Sequence, residues 1–253
     1  MTFVTGRGYQ AVRHDVRRWQ DRGVRLPDFM LTMPETSATD AERADFDDLL
    51  AQIDRDSDVT VIDYALDAPK WLFLQHAVDS GRFVLHGTAD RDIAEFVPRQ
   101  SNDQREFGNR MAIYAATDGI WPLFYATIDR AKARRIVNMA ADIAGGPDGS
   151  SLRAWYFAMD AVGLADSPWQ SGAVYLLPAT SFEPDECLEY GELTVTLRQS
   201  ASAVPVLPAA TLLVEPADFP FRDLVRGNDE ERMHAAITAD PDGFPWPDAV
   251  VSG

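Results

Sequence analysis

Two short apolar runs carry the residues best suited to chemistry. Phe83-Val84-Leu85-His86-Gly87-Thr88 ends on a histidine–glycine pair, and Ile113-Tyr114-Ala115-Ala116-Thr117 holds a tyrosine 28 positions after that histidine. A glycine leaving a strand next to an imidazole bares its own N–H and C=O, so a flat ligand approaches the Gly87 backbone without meeting a side chain. A tyrosine on a neighbouring strand supplies a face for stacking. Together these groups suit an aromatic amide such as nicotinamide, which is the leaving group when NAD⁺ serves as a group donor rather than a hydride carrier.

Other chemistries lack their residues. One cysteine and four scattered histidines (His14, His76, His86 and His234) give no paired ligand spacing for a metal. There is no Gly-x-x-x-x-Gly-Lys-Ser/Thr loop and no Gly-x-Gly-x-x-Gly after a strand, so neither a P-loop nucleotidase nor a Rossmann dehydrogenase is indicated. A Gly-x-Ser-x-Gly elbow is missing as well. Cys187 lies among Glu183, Asp185, Glu186 and Glu189, an acidic setting that disfavours a nucleophilic thiolate.

The elements that must position His86 and Tyr114 follow from periodicity. Tyr9, Val12, Val16 and Trp19 predict a helix over 8–22, stopped by Gly23. Thr39 with Glu42 three residues on predicts a capped helix over 40–53, with Phe46, Leu49, Leu50 and Ile53 as its apolar stripe. Its outer face is acidic, with nine acidic and two basic residues between Glu35 and Asp58, and is expected to be a solvated surface. A short strand at 59–62 and an amphipathic piece within 69–80 come next. Strands are predicted at 82–87, 111–117, 172–178, 191–198 and 203–214. Helices are predicted from Trp121-Pro122, with proline at the favoured first position, and over 151–163. A turn is predicted across Gly145–Gly149. This order, without strict βα alternation, predicts an α+β fold with helices on mixed or antiparallel sheets.

The chain has 253 residues, 46% of them hydrophobic and 10% aromatic, which is enough for a sizeable core. No run approaches the ~18 apolar residues of a membrane helix, and the first residues lack the apolar centre of a signal peptide. With one cysteine and so no internal disulfide, a cytoplasmic location is expected. The net charge of −17 argues against binding bulk nucleic acid. The basic clusters Arg17-Arg18 and Arg130–Arg135 are expected to be solvated faces.

In order, His86-Gly87-Thr88, Tyr114 in a strand and a polar residue on a late strand, the chain resembles the ADP-ribosyltransferase superfamily. The likeness is to its histidine–tyrosine–glutamate branch, which includes the poly-ADP-ribose polymerases and the RNA 2′-phosphotransferases. It spans residues 75–226, with an N-terminal helical appendage (1–74) and an irregular Pro-rich tail (227–253) outside it. The resemblance implies a split pair of small sheets with NAD⁺ in the cleft between them. It implies that His86 holds the adenosine ribose, Gly87 grips the carboxamide through its backbone, and Tyr114 stacks on the nicotinamide ring. Thr88 would support the turn or touch the ribose, and Arg99, in the polar loop between the two motif strands, would meet the pyrophosphate.

Two residues compete for the third position, where the family carries a glutamate that binds the nicotinamide ribose. Glu192 opens the run Leu193-Thr194-Val195, and Gln199 stands shortly before Val204-Pro205-Val206. The difference is chemical. A carboxylate stabilises the positive charge that builds on the sugar as the nicotinamide bond breaks, whereas an amide only orients the hydroxyl. The resemblance implies transfer of ADP-ribose to a protein or small-molecule acceptor. A glutamine at the third position instead favours a non-catalytic binding module of the same fold. An RNA 2′-phosphate transfer role would need several arginines around the cleft, against the negative balance.

Overall fold

Helix α1 (Asp40–Ile53) forms where its cap predicts it in the computed structural model, which describes residues 29–33, 37–53, 60–101, 106–145, 151–190, 193–240 and 249–251. The Thr39 hydroxyl accepts from the Glu42 N–H at 3.2 Å, and the Glu42 carboxylate accepts from the Thr39 N–H at 2.7 Å. That reciprocal cap satisfies two donors that a helix start leaves open. Phe46, Leu49, Leu50 and Ile53 are its buried stripe, as expected. After strand β1 (Thr60–Val61) comes helix α2 (Lys70–Asp79), whose Phe73 meets Phe46 edge-on at 5.8 Å. The helix predicted over 8–22 lies outside the described residues.

The central elements are β2 (Phe83–Thr88), β3 (Arg99–Gln100), β4 (Met111–Ala116), helix α3 (Trp121–Thr127), β5 (Ile136–Ala144), β6 (Ser151–Asp160) and helix α4 (Ala161–Ala165). Then follow β7 (Gly172–Pro178), β8 (Glu183–Pro184), β9 (Cys187–Tyr190), β10 (Leu193–Leu197), β11 (Gln199–Ser202) and β12 (Ala210–Val214). Strand β13 (Arg226–Asn228), helix α5 (Glu230–Ala239) and β14 (Val250–Val251) complete the described chain.

Two sheets result. The first has the order β1-β12-β7-β2-β4-β11-β8, with β3 also on β4; the second runs β14-β13-β6-β5-β10-β9. Only β1 with β12 and β13 with β6 run parallel among the described pairings; the rest are antiparallel. The fold is therefore α+β, with five helices among the described residues and two mostly antiparallel sheets.

Alternation along the strands decides what fills the space between them. Leu85 of β2, Val174 and Leu176 of β7, and Leu212 and Val214 of β12 face a core shared with α1, α2 and α3. Trp155, Phe157 and Met159 of β6 face the same core from the second sheet. Phe157 is 1% exposed and packs against Phe124 at 4.9 Å and Phe219 at 5.0 Å between ring centres. The opposite face of the first sheet carries its own cluster, with Val84, Phe96, Ile113, Tyr175 and Val206.

Three expectations meet a different outcome. Residues 151–160 are a strand, not the start of a helix: Ala154, Tyr156 and Ala158 are buried on one face while Trp155, Phe157 and Met159 are buried on the other. A strand buried on both faces loses the polar alternation that would mark it, and aromatic and alanine residues fit either structure. Within 203–214 only 210–214 is strand, because Pro205 and Pro208 interrupt the pairing and leave a single bridge, Phe96↔Val206. The stretch from 227, expected to be irregular, holds β13 and the Asp229-capped helix α5, while its prolines at 241–248 lie outside the described residues. Of the turn expected at Gly145–Gly149 only Gly145, directly after β5, is among the described residues, and its φ of 108° is a conformation that favours glycine.

Phe157→Ala should therefore destabilise the protein by about 3–5 kcal/mol, since Phe124, Phe219 and Phe221 around it cannot close the hole. Denaturant unfolding of the two proteins measures it.

Candidate functional site

Strand β2 pairs along its whole length with β7, from Phe83↔Pro178 to Thr88↔Ala173. Among the described residues it meets β4 at a single register pair, Leu85↔Ala116. Beyond that pair the two strands part, and His86 spans the gap: its Nδ1 stands 2.7 Å from the Tyr114 carbonyl oxygen. A carbonyl only accepts, so Nδ1 carries the proton, and in the neutral ring Nε2 keeps its lone pair. Nε2 has no hydrogen-bond partner among the described residues. The ring is further held by Phe96, 4.8 Å away edge-on, which in turn meets Tyr175. Burial lowers the His86 pKa and nearby Arg99 lowers it further, while the Tyr114 bond opposes both. Its surroundings therefore favour the neutral imidazole.

Gly87 has a packing reason of its own. A Cβ placed there would lie 1.8 Å from the carbonyl oxygen of Pro122, so the start of α3 rests directly on the β2 backbone. Thr88 turns the chain: its hydroxyl accepts from the Asp90 N–H at 3.2 Å. Arg99 lies exposed in β3, opposite Ala112 of β4.

Tyr114 falls on the same face of β4 as Ala112 and Ala116, and its ring packs with Phe107, Ala112 and Ala201. Its hydroxyl donates to the Phe107 carbonyl at 2.8 Å and accepts from the Arg110 N–H at 2.8 Å. Those bonds fasten the turn before β4 and fix the ring. His86 points to the opposite face, so the histidine and tyrosine approach the split from two sides.

Gln199 opens β11 and pairs with Ala116, one step along the same face from the Ala201↔Tyr114 pair. Tyr114 and Gln199 thus share a face on adjacent strands. Gln199 is half-buried, and its carboxamide has no hydrogen-bond partner among the described residues. Glu192 lies outside the described residues.

The structure also gathers charged residues that spacing did not flag. Asp118 is fully buried; one of its oxygens accepts from the N–H groups of Ile120 (3.0 Å) and Trp121 (2.7 Å) and from Trp155 Nε1 (3.0 Å). Arg153 approaches its other oxygen at 3.5 Å, donates to Gln75 Oε1 at 3.1 Å, and grips Asp142 with two bonds of 2.7 and 3.1 Å. Arg198 donates Nε and Nη2 to the Thr117 carbonyl at 2.9 and 2.6 Å, and its Nη1 lies 3.4 Å from Asp142. Burial, with Arg153 beside it, lowers the Arg198 pKa. At Arg153 burial acts the same way, but the Asp142 bond and the Asp118 charge outweigh it and raise the pKa. These residues come from three elements and two connections and lie up to 123 positions apart (Gln75 to Arg198), so no local motif joins them. Beside them Asn138 of β5 accepts from Trp121 Nε1 at 2.6 Å and from the Tyr125 hydroxyl at 2.9 Å.

Among the described residues no group of three His, Cys, Asp or Glu is placed to hold a metal. No helix there is long and apolar enough to cross a membrane. The chain matches no family model, no curated protein and no solved structure.

The depressed His86 pKa has a sign that can be tested. Below about pH 6.5 the unfolded chain takes up a proton at this position that the folded chain refuses. The stability contributed by the neutral ring is complete above that pH and is lost progressively as pH falls towards the lower folded pKa. Between pH 7.5 and 5.5 the melting temperature of the wild type should fall more than that of His86→Asn, which has no group to titrate there.

Proposed function

We propose that the protein is an NAD⁺-dependent ADP-ribosyltransferase that releases nicotinamide and transfers ADP-ribose to a protein or small-molecule acceptor. The observation that carries this reading is the shared face of Tyr114 and Gln199 beside the parting of β2 and β4. A dinucleotide laid through that split meets His86 from one side and Tyr114 and Gln199 from the other. The neutral His86, locked by its Nδ1–H bond, offers Nε2 to a hydroxyl of the adenosine ribose. The Tyr114 ring, held by Phe107 and Arg110, serves as the platform for nicotinamide, with the Gly87 backbone at the carboxamide. Arg99 faces the pyrophosphate, and Thr88 holds the turn out of β2.

In this reaction the bond between nicotinamide and ribose breaks with its electron pair leaving on nicotinamide. The acceptor attacks the ribose carbon and loses a proton. Gln199 fixes a hydroxyl of that ribose through its carboxamide. As a neutral group it stabilises the developing positive charge less than a carboxylate does.

The neutral amide also supports a second reading, a non-catalytic nucleotide-binding or protein-interaction module of the same fold. The packing roles of Gly87 beneath Pro122 and of His86 on the Tyr114 carbonyl would keep those residues in place without turnover.

Nicotinamide release from NAD⁺ by the purified protein decides between them. Under the first reading the wild type releases nicotinamide, Gln199→Ala lowers release by roughly 10²-fold, and Gln199→Glu raises it. Glu192→Ala leaves release unchanged if Gln199 is the third residue and abolishes it if Glu192 is. A wild type that releases none yet melts higher with NAD⁺ supports the binding module. One that shows neither effect overturns both readings.

A further inference from the structure

The strands β10 and β11 are one run of chain that serves two sheets. Leu193–Leu197 pairs with β5 and β9 in the second sheet, and Gln199–Ser202 pairs with β4 and β8 in the first. A single residue, Arg198, makes the crossing. Its N–H donates to Ala140 of β5 at 2.8 Å, and its carbonyl accepts from the Thr117 N–H at 2.8 Å. Its backbone therefore has one hand in each sheet.

Its side chain repeats the connection. Nε and Nη2 close on the Thr117 carbonyl after β4, while Nη1 lies 3.4 Å from Asp142 of β5. A planar guanidinium holds two acceptors in fixed directions at once, which an ammonium does not. Asp142 is itself held in place by the two bonds from Arg153, and Arg153 is anchored on Gln75 of α2 and on Asp118. The crossing point is thus set from both sheets and from α2.

The crossing point decides what residue 199 does. Side chains alternate along a strand, so a slip by one residue sends every side chain to the other face. In the observed register Gln199 stands opposite Ala116 on the Tyr114 face, and Ser200, 3% exposed, points the other way towards the Ala115 carbonyl. We propose that Arg198 and Asp142 are positioning residues that hold Gln199 on the Tyr114 face by fixing where the strand leaves the second sheet. This rests on the proposed role of Gln199 for its functional meaning, but its geometry is testable without it.

The test places a cysteine at 199 or at 200 in a Cys187→Ser background and measures the rate of alkylation by iodoacetamide. With Arg198 and Asp142 intact, Gln199→Cys should label roughly tenfold or more faster than Ser200→Cys, because only the first is reached without local opening. Adding Arg198→Lys or the isosteric Asp142→Asn should collapse that ratio to within about twofold as the crossing loosens. Asp142→Asn keeps the volume of the side chain, so it decides the matter if Arg198→Lys does not fold. A ratio that stays high in the folded variants overturns the proposal.

Nicotinamide release is read in parallel, in proteins that keep Gln199. If the wild type is active, Asp142→Asn should lower kcat by about tenfold with KM for NAD⁺ changed less than about twofold, since Gln199, the residue it positions, acts in the transition state. Equal loss in both parameters would argue against positioning. A wild type that releases none overturns the functional reading alone, because the labelling ratio still decides where residue 199 points.

Discussion

The two sheets are bound together at Arg198, where the chain passes directly from a strand of one to a strand of the other. The register of β11 on β4, and with it the face on which Gln199 and Tyr114 meet, begins at that crossing. The crossing is costly to build. It places two guanidinium groups and two carboxylates, one of them fully buried, in a low-dielectric junction, where desolvation costs several kcal/mol per ion. The cost is offset because nearly every polar direction is met: Asp118 receives three N–H groups, Arg153 has three partners, and Arg198 bonds both sheets. Such a network adds less to stability than its charges imply, and its larger contribution is to specify one arrangement of the sheets.

The aromatic core makes that arrangement firm. Phe124, Phe157, Phe219 and Phe221 bring α3, β6 and the segment after β12 into one cluster on the same side of the second sheet as Asp142 and Arg153. Trp155 belongs to both systems, packing on Phe221 and donating its indole N–H to Asp118. The same end of helix α3 is tied to the first sheet by Gly87, whose missing side chain lets the Pro122 carbonyl rest on β2. The first turn of α3 therefore reports to both sheets, through Asp118 and through Gly87.

Near this junction β2 and β4 of the first sheet separate. The parting of β2 from β4 after Leu85↔Ala116 leaves backbone that a side chain, His86, partly satisfies. Around that parting stand the His86 imidazole, the Tyr114 ring fixed by Phe107 and Arg110, and the Gln199 carboxamide, which has no hydrogen-bond partner among the described residues. The proposal of NAD⁺ rests on this arrangement together with the order of residues along the chain.

The local features were legible in the sequence. The Thr39–Glu42 cap, the stripe of α1, the proline at the start of α3 and the strands carrying His86 and Tyr114 all follow from interactions within a few residues, which sequence spacing encodes directly. The candidates His86, Gly87 and Tyr114 were legible too, because a histidine–glycine strand end and a strand tyrosine are local patterns. What the sequence left open was decided in three dimensions. The strand at 151–160 is buried on both faces, so its period carried no mark of strand. The network of Gln75, Asp118, Asp142, Arg153 and Arg198 joins residues far apart in the chain, and ion pairs of that separation leave no spacing to read. The choice of face for Gln199 goes with a register in which the neighbouring Arg198 meets Asp142, 56 positions away, and a strand's own residues do not determine which neighbour it pairs with or where it changes sheets.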